Sequence, residues 1–311
     1  MESLRRKWDC LWFEPAPPQN LGLCRILFFG ALFLFYLPKD FSAWGTVPEV
    51  FWRPVSLFRW LHLKPFSQHH LEIMQLAWKS ALALSCIGLF TRLNVAISFV
   101  LGFYLLGLPH NFGKVHHADA ILIFAFGILA ISHCGDSCSL DRVLRNKNSI
   151  LAPRADPATA SAEYTWPIRT IWLAMALVFF AAGWSKITQS GMAWISSDQL
   201  RIFLLQHNYY LSDSDPLTSW GLIVAQYPRF CHFLAGATVV IETSYPLALF
   251  SRIARRIIVP AAFLMLVAIR MLMGPGFETL MICHVFWVPW DRLFCRLTAG
   301  SKITESSAQR A

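Results

Sequence analysis

The sequence predicts an all-α fold, a polytopic membrane helical bundle of about eight transmembrane helices with interfacial amphipathic helices on its outer face. Three observations predict it. Of the 311 residues, 56% are apolar and only 14% are charged, against about 25% charge in an ordinary soluble domain. The mean hydropathy is +0.47. The apolar residues come in runs close to the roughly 17–25 that a helix needs to cross a bilayer, not in the alternating ten-residue segments of a barrel. These features exclude an ordinary soluble enzyme, a disordered chain and a secreted disulfide scaffold. They leave one quantity to explain, the net charge of +9 from 27 Lys and Arg against 18 Asp and Glu.

Residues 1–20 read as a cytoplasmic N-terminal segment that opens with Arg5, Arg6 and Lys7 and closes on a Pro-rich turn. The apolar run from Leu21 is too long for a signal-peptide core and lacks a small-residue cleavage site, so it reads as a retained helix. The expected spans are 21–37, 71–90, 93–108, 115–132, 166–186, 229–250, 253–273 and 276–294. The transmembrane domain therefore covers 21–294, and 295–311 form a cytoplasmic tail. Residues 48–63, 193–206 and 217–227 mix Trp, Phe and Tyr with polar and basic residues, the pattern of helices lying in the headgroup plane. All three fall on the outer side. The inner loop 133–165 carries Pro153, Pro157 and an Ala/Ser-rich stretch and reads as a linker.

The basic residues sort by loop. With the N-terminus inside and residues near a span end counted with the adjoining segment, 15 Lys and Arg fall on inner segments, 8 on outer segments, and the remaining four (Arg25, Lys79, Arg169, Arg270) are assigned to spans. This is positive-inside bias, and it predicts a multi-pass protein with both termini in the cytoplasm, fitting a bacterial inner membrane. The partner implied by the charge is the lipid bilayer. No nucleic-acid motif and no basic stripe interleaved with aromatics is present. The eight cysteines form no framework of outer pairs, so no structural disulfide is expected. The stretch Ser132 to Asp141, with Cys134 and Cys138, has metal-like residue types but not the ligand number or spacing of a closed zinc site. It reads as a helix stop followed by a new cap on Ser139 or Asp141, with no metal.

Ionisable groups inside spans cost at least about 2.5–3.5 kcal/mol each and mark function by default. His116 and His117 open the fourth span, and Lys186 closes the fifth at Gly183-Trp184-Ser185-Lys186. Arg270 and Glu278 flank the turn between the last two spans. Crossing direction places all of these near the outer surface. Glu242 and His284 lie deeper, roughly 20 Å and 12 Å at 1.5 Å per residue. Each group has a plain structural role open to it. Lys186 could snorkel, His116 and His117 could face water, Glu242 could pair with a neighbouring helix, and Arg270 could pair with Glu278. Their convergence on one half of the membrane is what points to a site.

Several pieces resemble the HTTM family, the transmembrane domain of vitamin K-dependent gamma-glutamyl carboxylase and its bacterial homologues. Ile87-Gly88-Leu89-Phe90-Thr91-Arg92 resembles the turn between that family's second and third spans. His117, an apolar helix, then Cys134-Gly135-Asp136 and Ser139-Leu140-Asp141 resembles its His-led helix. Phe180 to Lys186 resembles the carboxylase's helix end, Glu242 falls where the family carries an acid, and Phe277 to Arg292 resembles the last span and its exit. The resemblance implies a quinol epoxidase/carboxylase, with reduced vitamin K or menaquinol as cofactor and O2 and CO2 as co-substrates. Lys186 would be the base and His117 the assisting residue, supported by His116, Glu242, Arg270 and Glu278. About 17 residues follow the last span where the carboxylase has a large lumenal region. Quinol oxidation coupled to proton abstraction, or carboxylation of an unknown small-molecule or protein substrate, is thus the expected chemistry. The competing expectation is a non-catalytic quinone-binding or electron-transfer subunit of a membrane complex.

Overall fold

The computed structural model describes residues 8–9, 12–113, 119–148, 160–211, 219–274 and 276–293. Those residues are all-helical, with one isolated bridge between Ala16 and Ser161. Four helices are long and apolar enough to cross a membrane. They are α1 (Pro18–Tyr36), α4 (Thr91–Asn111), α7 (Trp166–Ser190) and α13 (Arg252–Met273).

The other expected spans form helices of a different kind. The segment 71–90 becomes α3 (Gln68–Ile87), whose Gln68, His69, His70, Glu72 and Lys79 make it more polar than the four. The segment 115–132 shows α5 (Ala120–Ile131), 12 apolar residues, its beginning lying outside the described residues. The segment 229–250 divides into α11 (Pro228–Ser244) and α12 (Leu247–Phe250), because Pro246 lacks the amide that would continue the ladder. The segment 276–294 begins with α14 (Glu278–Cys283) and tightens into a 3-10 turn over His284–Trp287 ahead of Pro289. The remaining helices are short or amphipathic: α2 (Ser56–Trp60), α6 (Leu140–Asn148), α8 (Ala193–Ser196), α9 (Gln199–Leu211) and α10 (Ser219–Ala225).

The chain divides into two compact units, one of residues 1–171 with 285–311 and one of 172–284. In the first, α1 packs on α3, α3 on α4, and α4 on α5. Its core is aromatic. Phe28 and Phe29 meet Phe126 at ring separations of 5.7 and 5.6 Å, and Trp78 lies 5.0 Å from Tyr36 while donating to the Ser98 carbonyl at 3.1 Å. The segment 48–63 is fastened to the end of α4: Asn111 accepts the Val55 amide on its side chain at 2.8 Å and the Arg53 amide on its carbonyl at 2.7 Å. Phe58 is buried against Gly107, where any Cβ would collide with its ring. Trp60 and Phe51 point outward, 75% and 59% exposed. The segment is therefore anchored by one face and open on the other.

A junction of three chain segments lies in the same unit. Gly88 adopts the left-handed conformation at φ 72°, and the side chain of Arg25 occupies the space where a Cβ would sit. Fully buried Arg25 donates to the Cys138 carbonyl at 2.6 Å. Asp141 accepts the Phe90 and Thr91 amides at 2.7 Å each and the Thr91 hydroxyl at 2.8 Å. Burial would raise this carboxyl's pKa, but the Thr91 and Phe90 hydrogen bonds outweigh it and hold it below the ordinary carboxylate value. Asp141 thus caps α4 rather than its own helix. Ser139 caps α6, accepting the Arg142 amide at 3.2 Å. The Cys134/Cys138 stretch reads as two caps, and both thiols are free.

In the second unit, α9 and α10 pack together over Leu204, Ala225 and Cys231 and rest against Leu272 and Met273 of α13. The expected interfacial stretch 193–206 is broken at Ser197, which is extended between α8 and α9. Ile202, Trp220 and Ile223 remain more than half exposed.

Candidate functional site

The second unit gathers acid, base and aromatic side chains between α7 and α11. On α7, Phe179, Gly183 and Lys186 recur four and three residues apart, which places them on one helix face. Gly183 is the point of closest approach. A Cβ there would stand 2.8 Å from the Thr243 methyl and 2.9 Å from the Glu242 Cβ, so only glycine lets the two backbones come this close. One turn further along α7, Lys186 Nζ reaches both carboxylate oxygens of Glu242, at 2.7 and 2.6 Å.

This contact corrects the depth count. Counting residues along the spans set Glu242 roughly 20 Å into the membrane and Lys186 at the outer edge. The two are in hydrogen-bond contact instead. α7 continues four residues past Lys186 to Ser190, so Lys186 stands about one turn inside its helix end.

The pair is asymmetric in access. The Glu242 side chain is 7% exposed and that of Lys186 is 21% exposed, so the amine can be reached while the carboxylate is closed off. The ring of Trp194, on α8, lies 5.5 Å from Nζ and covers part of the ammonium. In the other direction along the helix pair, Phe179 stacks on Tyr245 with ring centres 4.2 Å apart. The Tyr245 hydroxyl sits 3.5 Å from Nε2 of buried His284, whose Nδ1 contacts the Leu280 carbonyl at 2.8 Å. The rings of Phe179 and Phe263 wall the imidazole at 6.0 and 5.5 Å. A polar end, a glycine contact and an aromatic end are thus stacked along one helix–helix seam.

The sequence-nominated residues distribute as follows. Lys186 and Glu242 meet. Arg270 and Glu278 form a second ion pair at 3.4 Å, both side chains about one-third exposed. Glu278 also crowds Gly276, which has no room for a side chain. His116 and His117 lie outside the described residues. The sequence did not place Tyr245, Phe179 or Trp194 in the site, Trp194 being read as an aromatic of the interfacial stretch 193–206. Two of these carried a signal: Tyr245 is one turn past Glu242, and Phe179 is on the Gly183–Lys186 face. Among the described residues, no group of three or more His, Cys, Asp or Glu is placed to hold a metal ion.

The arrangement can carry a proton. Two of the three Nζ protons lie on Glu242 oxygens. Transfer of one to Oε leaves a neutral amine beside a carboxylic acid, and the amine lone pair can then accept a proton from a donor reaching its exposed side. No family model, no curated protein and no solved structure matches this chain.

Proposed function

We propose that this chain is a multi-pass integral membrane protein, with eight crossings and both termini cytoplasmic, that acts on a lipid quinol as the HTTM resemblance implies. The observation that carries the reading is the Lys186–Glu242 pair, an ion pair set by a glycine contact inside an apolar helix bundle. Ionisable pairs in such a place mark proton relays and substrate sites. Lys186 is the base: it passes a proton to Glu242 and takes one from a quinol hydroxyl at its accessible face. By the resemblance, His117 would assist, and His116, Arg270 and Glu278 would support the reaction.

The residues suit a quinol ring. An amine with one open side offers a proton acceptor, and the exposed face of α7 carries Phe180 and Trp184 stacked at 5.9 Å, an apolar approach from the lipid side. A reduced vitamin K or menaquinol, when bound, supplies the reducing equivalents for O2 and the strong base needed for proton abstraction and carboxylation with CO2. The chain's own part is to bind, to take the hydroxyl proton and to hold it away from water on Glu242.

A second reading has one observation in its favour. Both Glu242 oxygens already engage Nζ, as in a pair that only fixes two helices. That arrangement suits a non-catalytic quinone-binding or electron-transfer subunit. Purified protein supplied with reduced vitamin K and O2 separates the two. We expect quinone epoxide from the parent protein and none from Lys186→Ala, with Glu242→Gln strongly reduced. Full turnover in Lys186→Ala removes Lys186 as the base. Bound quinone without turnover in the parent favours the subunit.

A further inference from the structure

In the first unit, an open cleft of about 780 Å³ lies between the start of α4 and the helix α6. Arg92 and Arg145 flank it. Arg92 is exposed, and its guanidinium makes no hydrogen bond or ion pair among the described residues. Arg145 uses only Nε, on the Asp141 carbonyl at 3.4 Å, which leaves the rest of its donor fork open. The two carboxylates that also line the cleft are engaged. Both Asp141 oxygens receive hydrogen bonds from Phe90 and Thr91, and Asp136 receives the Tyr164 hydroxyl at 3.1 Å. Both Asp141 oxygens and one Asp136 oxygen are therefore already hydrogen-bonded within the protein, while both arginines are exposed.

The same rim is apolar. Phe90 and Leu93 are 66% and 61% exposed at the start of α4, and Leu144 is 44% exposed on α6. On α6, Leu140, Val143 and Leu144 recur at helical spacing on one face, while Arg142 and Arg145 occupy the other. A helix of this kind lies along a headgroup layer with its cations at the phosphate level. The loop that carries it is on the basic, inner side by charge bias.

We propose that this cleft binds the phosphate headgroup of an anionic phospholipid of the cytoplasmic leaflet, with Arg92 and Arg145 clamping the phosphate and Phe90, Leu93 and Leu144 against its acyl chains. Two outward guanidiniums match a phosphate, and bidentate donors favour it over a zwitterionic headgroup whose own cation competes. Exposed apolar residues on both walls are what a free phosphate would not need.

Native mass spectrometry of the full chain, released from detergent with phosphatidylglycerol, phosphatidylcholine or inorganic phosphate, tests this. Phosphatidylglycerol is expected to stay bound and phosphatidylcholine to be lost. The double variant Arg92→Gln/Arg145→Gln should retain roughly thirtyfold less phosphatidylglycerol. Arg92→Gln alone touches no protein partner and keeps the test open if the double variant folds poorly; it should show a smaller loss. Equal retention of the two lipids, undiminished binding in the variants, or a phosphate adduct without lipid preference would each overturn the proposal.

Discussion

At the scale of single residues, Gly183 and Lys186 show how one small side chain sets the chemistry of another. Lys186 meets Glu242 only because Gly183 lets α7 and α11 touch one turn away. A Gly183→Val substitution puts two methyls where the Thr243 methyl and Glu242 Cβ already stand. We expect a loss of about 1–3 kcal/mol in stability, the usual cost of overpacking. A widened seam also lengthens the Lys186–Glu242 contact, so the proposed quinol turnover should fall further than stability alone explains. Thermal melts in detergent, read alongside epoxide formation, separate the two effects. Unchanged activity with a lowered melting temperature would uncouple the glycine contact from the site.

At the scale of elements, the ends of the helices are set by groups far away in sequence. α4 begins at Thr91 because Asp141, fifty residues later, receives its first amides. The capping carboxylate is held below its ordinary value of 3.8, so its contribution follows a definite sign. The stabilisation is present at neutral pH. It is lost as the pH falls from the ordinary value through the lower folded one, where the native state must take up a proton. Asp141→Ala should therefore cost about 0.5–2 kcal/mol at neutral pH, as lost caps do. The difference from the parent protein should shrink below pH 4, and chemical denaturation at several pH values measures it. A difference that stays constant into strong acid would show that Asp141 acts by packing alone. The break between α11 and α12 has the opposite origin, being local: Pro246 follows Tyr245 and stops the helix within the sequence that forms it.

At the scale of the whole molecule, the proposed inner and outer faces rest on charge. The 15 inner against 8 outer cations predict that the loop 133–165 is cytoplasmic. Cys138 in that loop is a free, exposed thiol, whereas Cys134 nearby is buried. A membrane-impermeant maleimide should modify Cys138 in inside-out vesicles and leave it intact in right-side-out ones, with Cys134 unmodified in both. Mass spectrometry of the digested protein reads this out. Labelling from the outer side would invert the topology and move the lipid cleft to the other leaflet.

Composition and run length determined the all-helical class and the four long apolar helices, because burial in lipid demands continuous apolar stretches and leaves them readable one segment at a time. They also marked Lys186 and Glu242, since charge is rare in such stretches and stands out. What only the tertiary structure decided is which of these groups meet. Residue counting along single spans placed Lys186 and Glu242 at different depths; a contact between helices put them 2.6 Å apart. Helix ends and close contacts were set by Pro246, by Asp141 at the start of α4 and by the glycines Gly88 and Gly183. Each depends on a partner distant in the chain or on a single residue that hydropathy averages away. The aromatic end of the seam, Phe179 with Tyr245 and His284, was hidden for the same reason: aromatic residues are ordinary in a membrane helix until packing brings them around an imidazole.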